Sequence, residues 1–414
     1  MVNIRETKSR NCGFIKSPFR YSYSARIVIE ASSMANSTIE YKRPNLGRVD
    51  PMHISKNYSV CCAALIIAMF VCSVHAQSTS KSTSKKMANG KAAIPTAAEV
   101  VKKTVDAANA FLGSVEQKQY EQAMYSFTDD KQRENWSNLP VGHVPRGGLR
   151  WGDLNAKQKA AAMELLKAAL SENGVQQIVD NMNGDEYLKQ NSRRSSFGSD
   201  EYFISFLGEP SETDSWMFQF GGHHLGVNIT VVGDQMTMSP SLTGGQPIDF
   251  EWDGKQVRQV ADEEDAAYAF IGSLTDEQKK KAVLAGRYGN LKFGPGASKI
   301  EPSSEGLKAT DLDEKQTGLL KALIATRIGV LNETHAKIEL EKVVAEFPNT
   351  RFSWRGPTEA GGDASFRIES PTILMEYSPQ RLGGVPTNHL HLMYRDPSND
   401  YGTGFIEARR KARK

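Results

Sequence analysis

The stretch AANAFLGS at residues 107–114 is repeated as AAYAFIGS at residues 266–273, an offset of 159 positions. Six of the eight positions are identical, and a seventh exchanges leucine for isoleucine. A second block, DLNAKQ at residues 153–158, returns as DLDEKQ at residues 311–316, an offset of 158. Two matched blocks at nearly the same offset predict an internal duplication, with a first half at residues 96–260 and a second half at residues 261–408.

Each half is predicted to begin with helices, because capping sequences precede its apolar helical patterns. In a capping box, a short polar side chain and a Glu or Gln three residues later each bond the other's backbone N–H. Four such pairs occur, namely Thr96 with Glu99, Asn155 with Gln158, Thr275 with Gln278, and Asp313 with Gln316.

Each half then changes to short strand-like runs separated by Gly, Pro and Asp. The runs lie at residues 202–207, 216–220, 227–232 and 236–238 in the first half, and at residues 352–354, 365–368, 373–377 and 389–394 in the second. Short runs with tight turns predict an antiparallel meander. We therefore expect an α+β fold in which each half is a helical segment followed by a meander. A glycine-rich phosphate loop between strand and helix is missing from the sequence, which argues against nucleotide-binding folds of the Rossmann or P-loop type.

The first part of the chain is predicted to direct export. Residues 60–71 form an apolar run preceded by Lys56, and residues 74–76 read VHA. The run is shorter than the roughly 20 residues of a membrane-spanning helix but suits a signal peptide. We therefore expect a signal peptide at residues 52–76 that starts at Met52, with residues 1–51 being a mis-called or disordered extension. The alternatives are a long cytosolic extension on a membrane anchor and a lipoprotein modified at Cys72.

The expected mature protein has a composition that suits an oxidising compartment. The four cysteines, Cys12, Cys61, Cys62 and Cys72, all precede residue 77, so the mature chain has none. We predict a periplasmic or secreted protein without a stable membrane span, with a flexible linker at residues 77–95 and a basic tail at residues 409–414. The net charge of +3 comes without an aromatic and basic stripe, so nucleic acid is not an expected partner.

Histidines form two tight clusters in the strand-rich parts. Two of the eight histidines precede residue 77, and four of the remaining six are His223, His224, His389 and His391. Residues separated by one position on a strand face the same side roughly 6.5–7 Å apart, so His389 and His391 can converge on one ion. On a regular strand the adjacent His223 and His224 face opposite sides, so only one of them is expected to join that pair, unless Gly221-Gly222 introduces a bulge that brings in both. We predict a site for a divalent metal, zinc first and copper or iron as alternatives.

Nearby carboxylates and arginines suggest how such a site could act. Asp396 and Glu376 are candidates for a general base or for orienting a ligand, and arginines such as Arg146 could bind an anionic or other small-molecule substrate. The first hypothesis is a metal-dependent hydrolase, in which the ion activates water. The second is a non-catalytic protein that binds a metal or small ligand. In the third, a structural or interaction protein, the histidines only satisfy hydrogen bonds.

Six short motifs together resemble the domain-of-unknown-function 3500 family of bacterial exported proteins, over about residues 100–402. The motifs are Phe111-Leu-Gly-Ser114, Arg133-x-x-Trp136, Arg146-Gly-Gly-Leu149, Gly222-His-His-Leu225, Asn388-His-Leu-His391 and Arg395-Asp-Pro-x-Asn-Asp400. The resemblance implies an exported protein and carries no established activity. One departure is Ser378, which follows Tyr377 where the resemblance leads us to expect aspartate.

Overall fold

The computed structural model describes residues 94–413, apart from residues 193–195, 288, 290, 298–299 and 382–384. The predicted extension, the signal peptide and residues 77–93 of the linker lie outside the described residues. The described residues all belong to one compact unit.

The first segment is mainly helical, and its helices begin where the capping sequences predict. The capping boxes of Thr96 with Glu99 and of Asn155 with Gln158 are both formed. The elements are α1 (Ala97–Leu112), α2 (Gln117–Ala123), β1 (Met124–Tyr125), α3 (Asp130–Arg133), β2 (Leu149–Arg150), α4 (Ala156–Ala169) and α5 (Glu172–Ser192).

A run of strands follows. The elements are β3 (Phe203–Leu207), β4 (Ser215–Gly222), β5 (Leu225–Val232), β6 (Gln235–Thr237), β7 (Ser241–Gly245), β8 (Asp249–Trp252) and β9 (Lys255–Arg258). The four strands predicted in this region correspond to β3, β4, β5 and β6, while β7 and the separate β8–β9 hairpin were not predicted.

The second segment again places helices before strands, and the capping boxes of Thr275 and Asp313 are formed. Its helical part contains α6 (Ala261–Ser273), α7 (Asp276–Ala282), β10 (Leu307–Lys308), α8 (Glu314–Ile328) and α9 (Glu333–Ala345). Its strands are β11 (Arg351–Arg355), β12 (Ser365–Glu369), β13 (Leu374–Pro379) and β14 (Leu390–Arg395), and α10 (Thr403–Ala412) follows them. The four strands predicted here correspond to β11–β14.

The strands of both segments form one sheet. Its order is β1-β3-β4-β5-β7-β14-β13-β12-β11-β10, with β2 beside β3 and β6 beside β5. The pair of β1 with β3 is parallel, and the other pairs are antiparallel. The antiparallel pair of β7 with β14 joins the first meander to the second. The fold is therefore of the α+β class, as predicted, with a large mixed sheet.

Helices cover one face of this sheet, and loops and short segments cover the other. Alternate residues along β4, Trp216, Phe218 and Phe220, pack in the apolar core that contains α1 and α4. On the opposite face, Trp136 and Phe293 belong to a smaller buried cluster that includes Met393 of β14. This alternation places every second residue of β14 among the covering loops, and His391 is one of them.

Among the residues that the structure describes, we find no helix with the length and hydropathy that a membrane span requires.

Candidate metal centre

The central strands β5, β7 and β14 bring the two histidine clusters together at one end of these strands. Gly222 and Leu225 are paired, so His223 and His224 form the two-residue turn between β4 and β5. His224 has a φ of 59°, a left-handed conformation that turns often require but that is uncommon outside glycine. Strand β7 pairs with β5 on one side and with β14 on the other, which places the turn near the first residues of β14.

His224, His389 and His391 converge at this place. Each offers a ring nitrogen, and these atoms all lie within 4.8 Å of one another. The Nε2 atoms of His224 and His389 are 3.0 Å apart. The three residues are only 3%, 8% and 5% exposed, respectively. The Nε2 atom of His391 is buried and has no hydrogen-bond partner.

Burial sets the charge state of the site. Loss of hydration lowers the pKa of His224 and of His391 well below the usual value, and the neighbouring histidines lower both pKa values further. Both rings are therefore neutral at physiological pH, and neutral imidazole is the form that binds a metal ion.

His223 does not join the three. Its ring stacks on that of His224 with the centroids 3.6 Å apart. Its Nδ1 atom lies 2.6 Å from Oδ1 of Asp185 on α5, and Oδ2 of Asp185 accepts a hydrogen bond from the Gly198 amide. The sequence reasoning missed Asp185. The spacing that could have identified it is that of Asn181 and Asp185, which are polar residues one turn apart on the buried face of α5.

Asn181 connects helix α5 to the histidine turn and to β7. Its Nδ2 donates to the carbonyl oxygens of His224 (3.3 Å) and Gly244, and its Oδ1 accepts from the Tyr202 hydroxyl at 2.8 Å. The same hydroxyl lies 3.0 Å from the carbonyl oxygen of His223. The conformation of the histidine turn is thus fixed from the helix side through its backbone.

A loop before β2 closes the opposite side. The Asn138 carbonyl accepts from the His224 amide at 3.3 Å, and its side-chain nitrogen lies 3.5 Å from Nδ1 of His391. Arg146 anchors this loop by donating to the carbonyl oxygens of Ser137 (2.8 Å) and Gly222 (3.3 Å). Burial lowers the pKa of Arg146 to about 10, so it remains charged at neutral pH. It acts here on the backbone of the loop.

Gly244 on β7 allows β14 to approach β7 closely, because glycine has no Cβ atom. It pairs with His391, and a Cβ atom on Gly244 would lie 2.3 Å from the Leu390 carbonyl oxygen and 3.2 Å from Cδ2 of His391. Real Cβ atoms do not approach a backbone atom so closely, so a larger residue would displace β14, which carries His391 and directly follows His389.

The structure does not bring the two predicted catalytic carboxylates into the cluster. Asp396 lies five residues beyond His391, about 17 Å along an extended chain, and its carboxylate contacts Lys342 and Ser398. Glu376 is on the face of β13 nearer to His391, but Arg367 donates to its Oε1 and the amides of residues 292 and 293 donate to its Oε2. Both carboxylates are therefore occupied by structural contacts.

Ser378 has a position that the sequence did not reveal. It pairs directly with His391 in the β13–β14 ladder, and residues paired across a ladder have Cβ atoms about 4.5–5.5 Å apart. The residue at which the chain departs from the expected aspartate is thus a neighbour of the histidine cluster. Its side chain is fully buried and lies 3.2 Å from Nε2 of Gln380.

Comparison with known proteins leads to a family without an assigned role. No curated protein and no solved structure matches the chain. A family model described as "Protein of unknown function (DUF3500)" matches residues 97–403, which include all four histidines discussed above. The match covers 307 of the 414 residues and agrees with the resemblance of the six motifs. The chain therefore belongs to the DUF3500 family.

Proposed function

We propose that this protein binds a divalent transition metal through His224, His389 and His391, with zinc as the first candidate. The observation that carries the proposal is the convergence of three buried ring nitrogens within 4.8 Å. A buried nitrogen without a hydrogen-bond partner, such as Nε2 of His391, loses about 1–3 kcal/mol of hydration. Coordination of an ion would replace that lost interaction.

The spacing of the nitrogens suits a small ion. Two nitrogens at about 2.0–2.1 Å from zinc in tetrahedral geometry are about 3.3–3.4 Å apart. The 3.0 Å between the Nε2 atoms of His224 and His389 therefore needs to change by only a few tenths of an ångström. Copper and iron also accept imidazole ligands, and their presence would favour redox chemistry instead.

The surroundings can fix the protonation of the ligands. For His391 to bind through Nε2, its Nδ1 must carry the proton, and the Asn138 amide must then present its oxygen to that proton. Outer contacts of this kind orient metal-binding histidines. Asp185 orients His224 indirectly. It fixes the ring of His223, and that ring packs against the ring of His224.

The number of converging residues favours a metal-dependent hydrolase over a closed structural site. Within the described part of the chain, three residues with metal-binding side chains converge, and three protein ligands with one open position are typical of catalytic zinc. A zinc ion there would lower the pKa of a bound water to about 7. The burial of all three histidines instead favours a non-catalytic protein that retains its metal, which is the second candidate.

Metal analysis of the purified protein tests the binding proposal. We expect about one equivalent of zinc, copper or iron per chain after purification without chelator, and its loss in His389→Ala and His391→Ala. His143→Ala is the matched control, because His143 lies exposed in a loop. A wild-type protein that binds no metal with micromolar affinity, or a His391→Ala protein with full metal content, would refute the proposal.

We also propose that the protein is exported after cleavage near Ala76. The support is the sequence pattern of residues 52–76 and the absence of cysteine after residue 76. Mass analysis of the protein from the producing cell should give an N-terminus close to residue 77 outside the cytoplasm. A cytoplasmic product with an intact N-terminal region would contradict export.

We further propose that the two segments arose by duplication. Corresponding contacts support this origin: the Gln158 side chain donates to the Ser114 carbonyl and to Gln119, and the Gln316 side chain donates to the Ser273 carbonyl and to Gln278. The strands of the segments also extend outward in the same order from the central pair of β7 with β14. The two segments of an experimental structure should superpose over their helices and four main strands, and failure to do so would refute common origin.

A further inference from the structure

The three histidines of the cluster are too deeply buried for a metal ion to reach them without movement of the surrounding chain. His224, His389 and His391 are each at most 8% exposed. Uptake or release of an ion therefore requires local opening of a segment that encloses them. The strength of the contacts on each side of the cluster indicates which segment opens.

Helix α5 encloses one side of the cluster through short contacts between buried groups. Oδ1 of Asp185 lies 2.6 Å from Nδ1 of His223, and Oδ1 of Asn181 accepts from the Tyr202 hydroxyl at 2.8 Å. All four side chains are buried, and α5 is a helix of 21 residues. A side built from buried hydrogen bonds on a long, packed helix opens only when much of the fold opens.

The loop at residues 137–147, which we call the cover loop, encloses the other side through weaker contacts. It contains neither helix nor strand, and Leu139 is exposed. Its hydrogen bonds to the histidines come from Asn138, at 3.3 Å from the His224 amide and 3.5 Å from Nδ1 of His391. Irregular, exposed segments with few buried contacts are the first to open in a folded protein. Of the two sides, the cover loop therefore opens more easily.

The cover loop reaches from the β14 side of the cluster to the α5 side. Asn138 places its first part beside β14. A Cβ atom on Gly142, near the middle of the loop, would lie 3.2 Å from Cβ of Ser196, which follows α5 in the chain. The next residue, Phe197, stacks its ring on that of His223 with the centroids 5.0 Å apart. The loop therefore passes over the end of the strands at which the histidines lie.

Buried contacts fix both ends of the cover loop. At one end, the buried Trp136 donates from Nε1 to the Tyr401 hydroxyl at 2.8 Å. At the other end, Gly148 has a φ of 93°, and its amide donates to the Tyr125 hydroxyl at 3.0 Å. Both ends belong to motifs by which the sequence resembles its family, the motif that ends at Trp136 and the motif at residues 146–149. A loop with fixed ends and weak contacts between them can move as a lid.

Arg146 holds the cover loop closed. Its Nη2 donates to the carbonyl oxygens of Ser137 (2.8 Å) and Leu139 (2.7 Å) within the loop. The same atom donates to the carbonyl oxygen of Gly222 on β4 at 3.3 Å. Because this link to the strand is one long hydrogen bond, breaking it releases the loop while the bonds within the loop remain.

We propose that the cover loop is a gate that must open for a metal ion to enter or leave the histidine cluster. The role of the gate rests on the proposed metal binding, whereas the opening itself does not require a metal. In the open state the ring nitrogens of His224, His389 and His391 meet solvent. Closing returns Asn138 to His391, buries the ion and slows its release.

A disulfide that fixes the middle of the cover loop tests the proposal. The 3.2 Å between the Cβ positions of residues 142 and 196 is close to the roughly 3.5–4.5 Å of a disulfide, and the chain has no cysteine after Cys72. Gly142→Cys combined with Ser196→Cys should therefore form a cross-link on oxidation, which mass analysis verifies. Zinc uptake, and zinc loss to a chelator, should be about tenfold or more slower in the cross-linked protein than in the wild type. Reduction followed by alkylation should restore fast exchange.

A second measurement needs no metal. Diethyl pyrocarbonate modifies neutral imidazole that solvent can reach, so its reaction with the cluster histidines reports how often the gate opens. The cross-link should slow this reaction about tenfold or more, while the exposed His143 reacts quickly in both proteins. Arg146→Gln should speed the reaction, because it removes the hydrogen bond to β4. Arg150→Gln is the matched control, since Arg150 pairs with Asp153 and Glu201 outside the loop, and it should react like the wild type.

The outcomes separate the two proposals. A wild type that binds no zinc, but whose cluster histidines are protected by the cross-link, would refute the metal proposal and leave the gate. Unchanged zinc exchange and unchanged modification in the verified cross-linked protein would show that the histidines are reached by another route. If the cross-link does not form, equal modification rates in Arg146→Gln and the wild type would likewise refute the gate.

Discussion

At the scale of single residues, the His391 side chain lowers the stability of the metal-free fold but offers a nitrogen ligand to the proposed metal ion. Its ring is buried opposite Gly244, and its Nε2 has no hydrogen-bond partner. Leaving a buried polar group unpaired costs about 1–3 kcal/mol. A residue that only filled the core at this position would avoid that loss, so we attribute the histidine to binding rather than to stability.

We predict that His391→Leu is at least as stable as the wild type when both are free of metal, because the substitution removes an unpaired polar atom from the interior. Added zinc should stabilise the wild type and leave the variant unchanged. Urea unfolding with chelator and with zinc measures both effects. His223→Leu is the contrasting variant: it should be destabilised by roughly 3 kcal/mol, because it leaves the buried Asp185 carboxylate without its histidine partner. If metal-free His391→Leu is instead less stable than the metal-free wild type, the attribution of His391 to metal binding is wrong.

The metal-free protein should lose stability as the pH falls below about 6.5. Burial lowers the pKa of His224 and His391 in the folded state, whereas histidines of the unfolded chain titrate near 6.5. Below that pH the unfolded state takes up protons that the folded state excludes, at up to about 1.4 kcal/mol per pH unit for each histidine. Unfolding between pH 8 and pH 5.5 measures the slope, which should be smaller in His391→Leu. An equal slope in the two proteins would contradict the assignment of these pKa shifts.

At the scale of elements, the site depends on how closely β7 and β14 pack. We predict that Gly244→Ala destabilises the protein by about 1–3 kcal/mol, because the new Cβ would overlap the Leu390 carbonyl. The displaced β14 should also reduce metal affinity by about tenfold or more. Denaturant unfolding and metal titration measure the two effects.

Gly318→Ala is the control for that substitution. Gly318 lies within α8, and a Cβ atom there would have no neighbour within 4 Å. Alanine should therefore stabilise the protein by about 0.5–1 kcal/mol without affecting the metal. Equal metal affinity in both glycine variants would mean that the approach of β14 does not determine the site.

A carboxylate can be added where the chain departs from the expected aspartate. We predict that Ser378→Asp tightens zinc binding at least tenfold, because Ser378 pairs with His391 across the ladder and an added carboxylate could bind the ion or the ring. It should destabilise the metal-free protein, since the position is fully buried. Competition with a chelator measures the affinity, and weaker binding than in the wild type would show that this side chain does not reach the site.

Local sequence patterns predicted most elements of this fold. The capping pairs at Thr96 and Thr275 mark helix starts because both partners lie within one turn. Strand β7, with the sequence SLTGG, was missed because its glycines read as a loop, although they are needed for close strand contact. The Asp185 contact was missed because it joins a helix to a turn 38 residues away in sequence.

At the scale of the whole molecule, the two segments share one sheet, although each has its own apolar core beneath its helices. The sequence indicated two similar halves, but not that β7 would pair with β14. Such a pairing is non-local, and it depends on which strand edges remain uncovered after each meander forms. The convergence of the two histidine clusters follows from that pairing. The sequence alone was compatible with this convergence but did not predict it.

The shared sheet predicts one cooperative unfolding transition. Phe111 of α1 and Phe270 of α6 come from the repeated stretches, and both are fully buried. We predict that Phe111→Ala and Phe270→Ala each lower the free energy of unfolding by about 3–5 kcal/mol. Scanning calorimetry should show a single transition that moves to lower temperature in both variants. Two transitions, with each variant moving only one, would show that the segments unfold independently.

The most direct test of the metal proposal is a crystal structure of the protein purified without chelator, with anomalous diffraction data collected on both sides of the zinc, copper and iron absorption edges. We predict one strong anomalous peak per chain, about 2.0–2.1 Å from a ring nitrogen of each of His224, His389 and His391. A crystal with those three rings packed against one another and no anomalous peak between them, even after soaking with zinc, would contradict it.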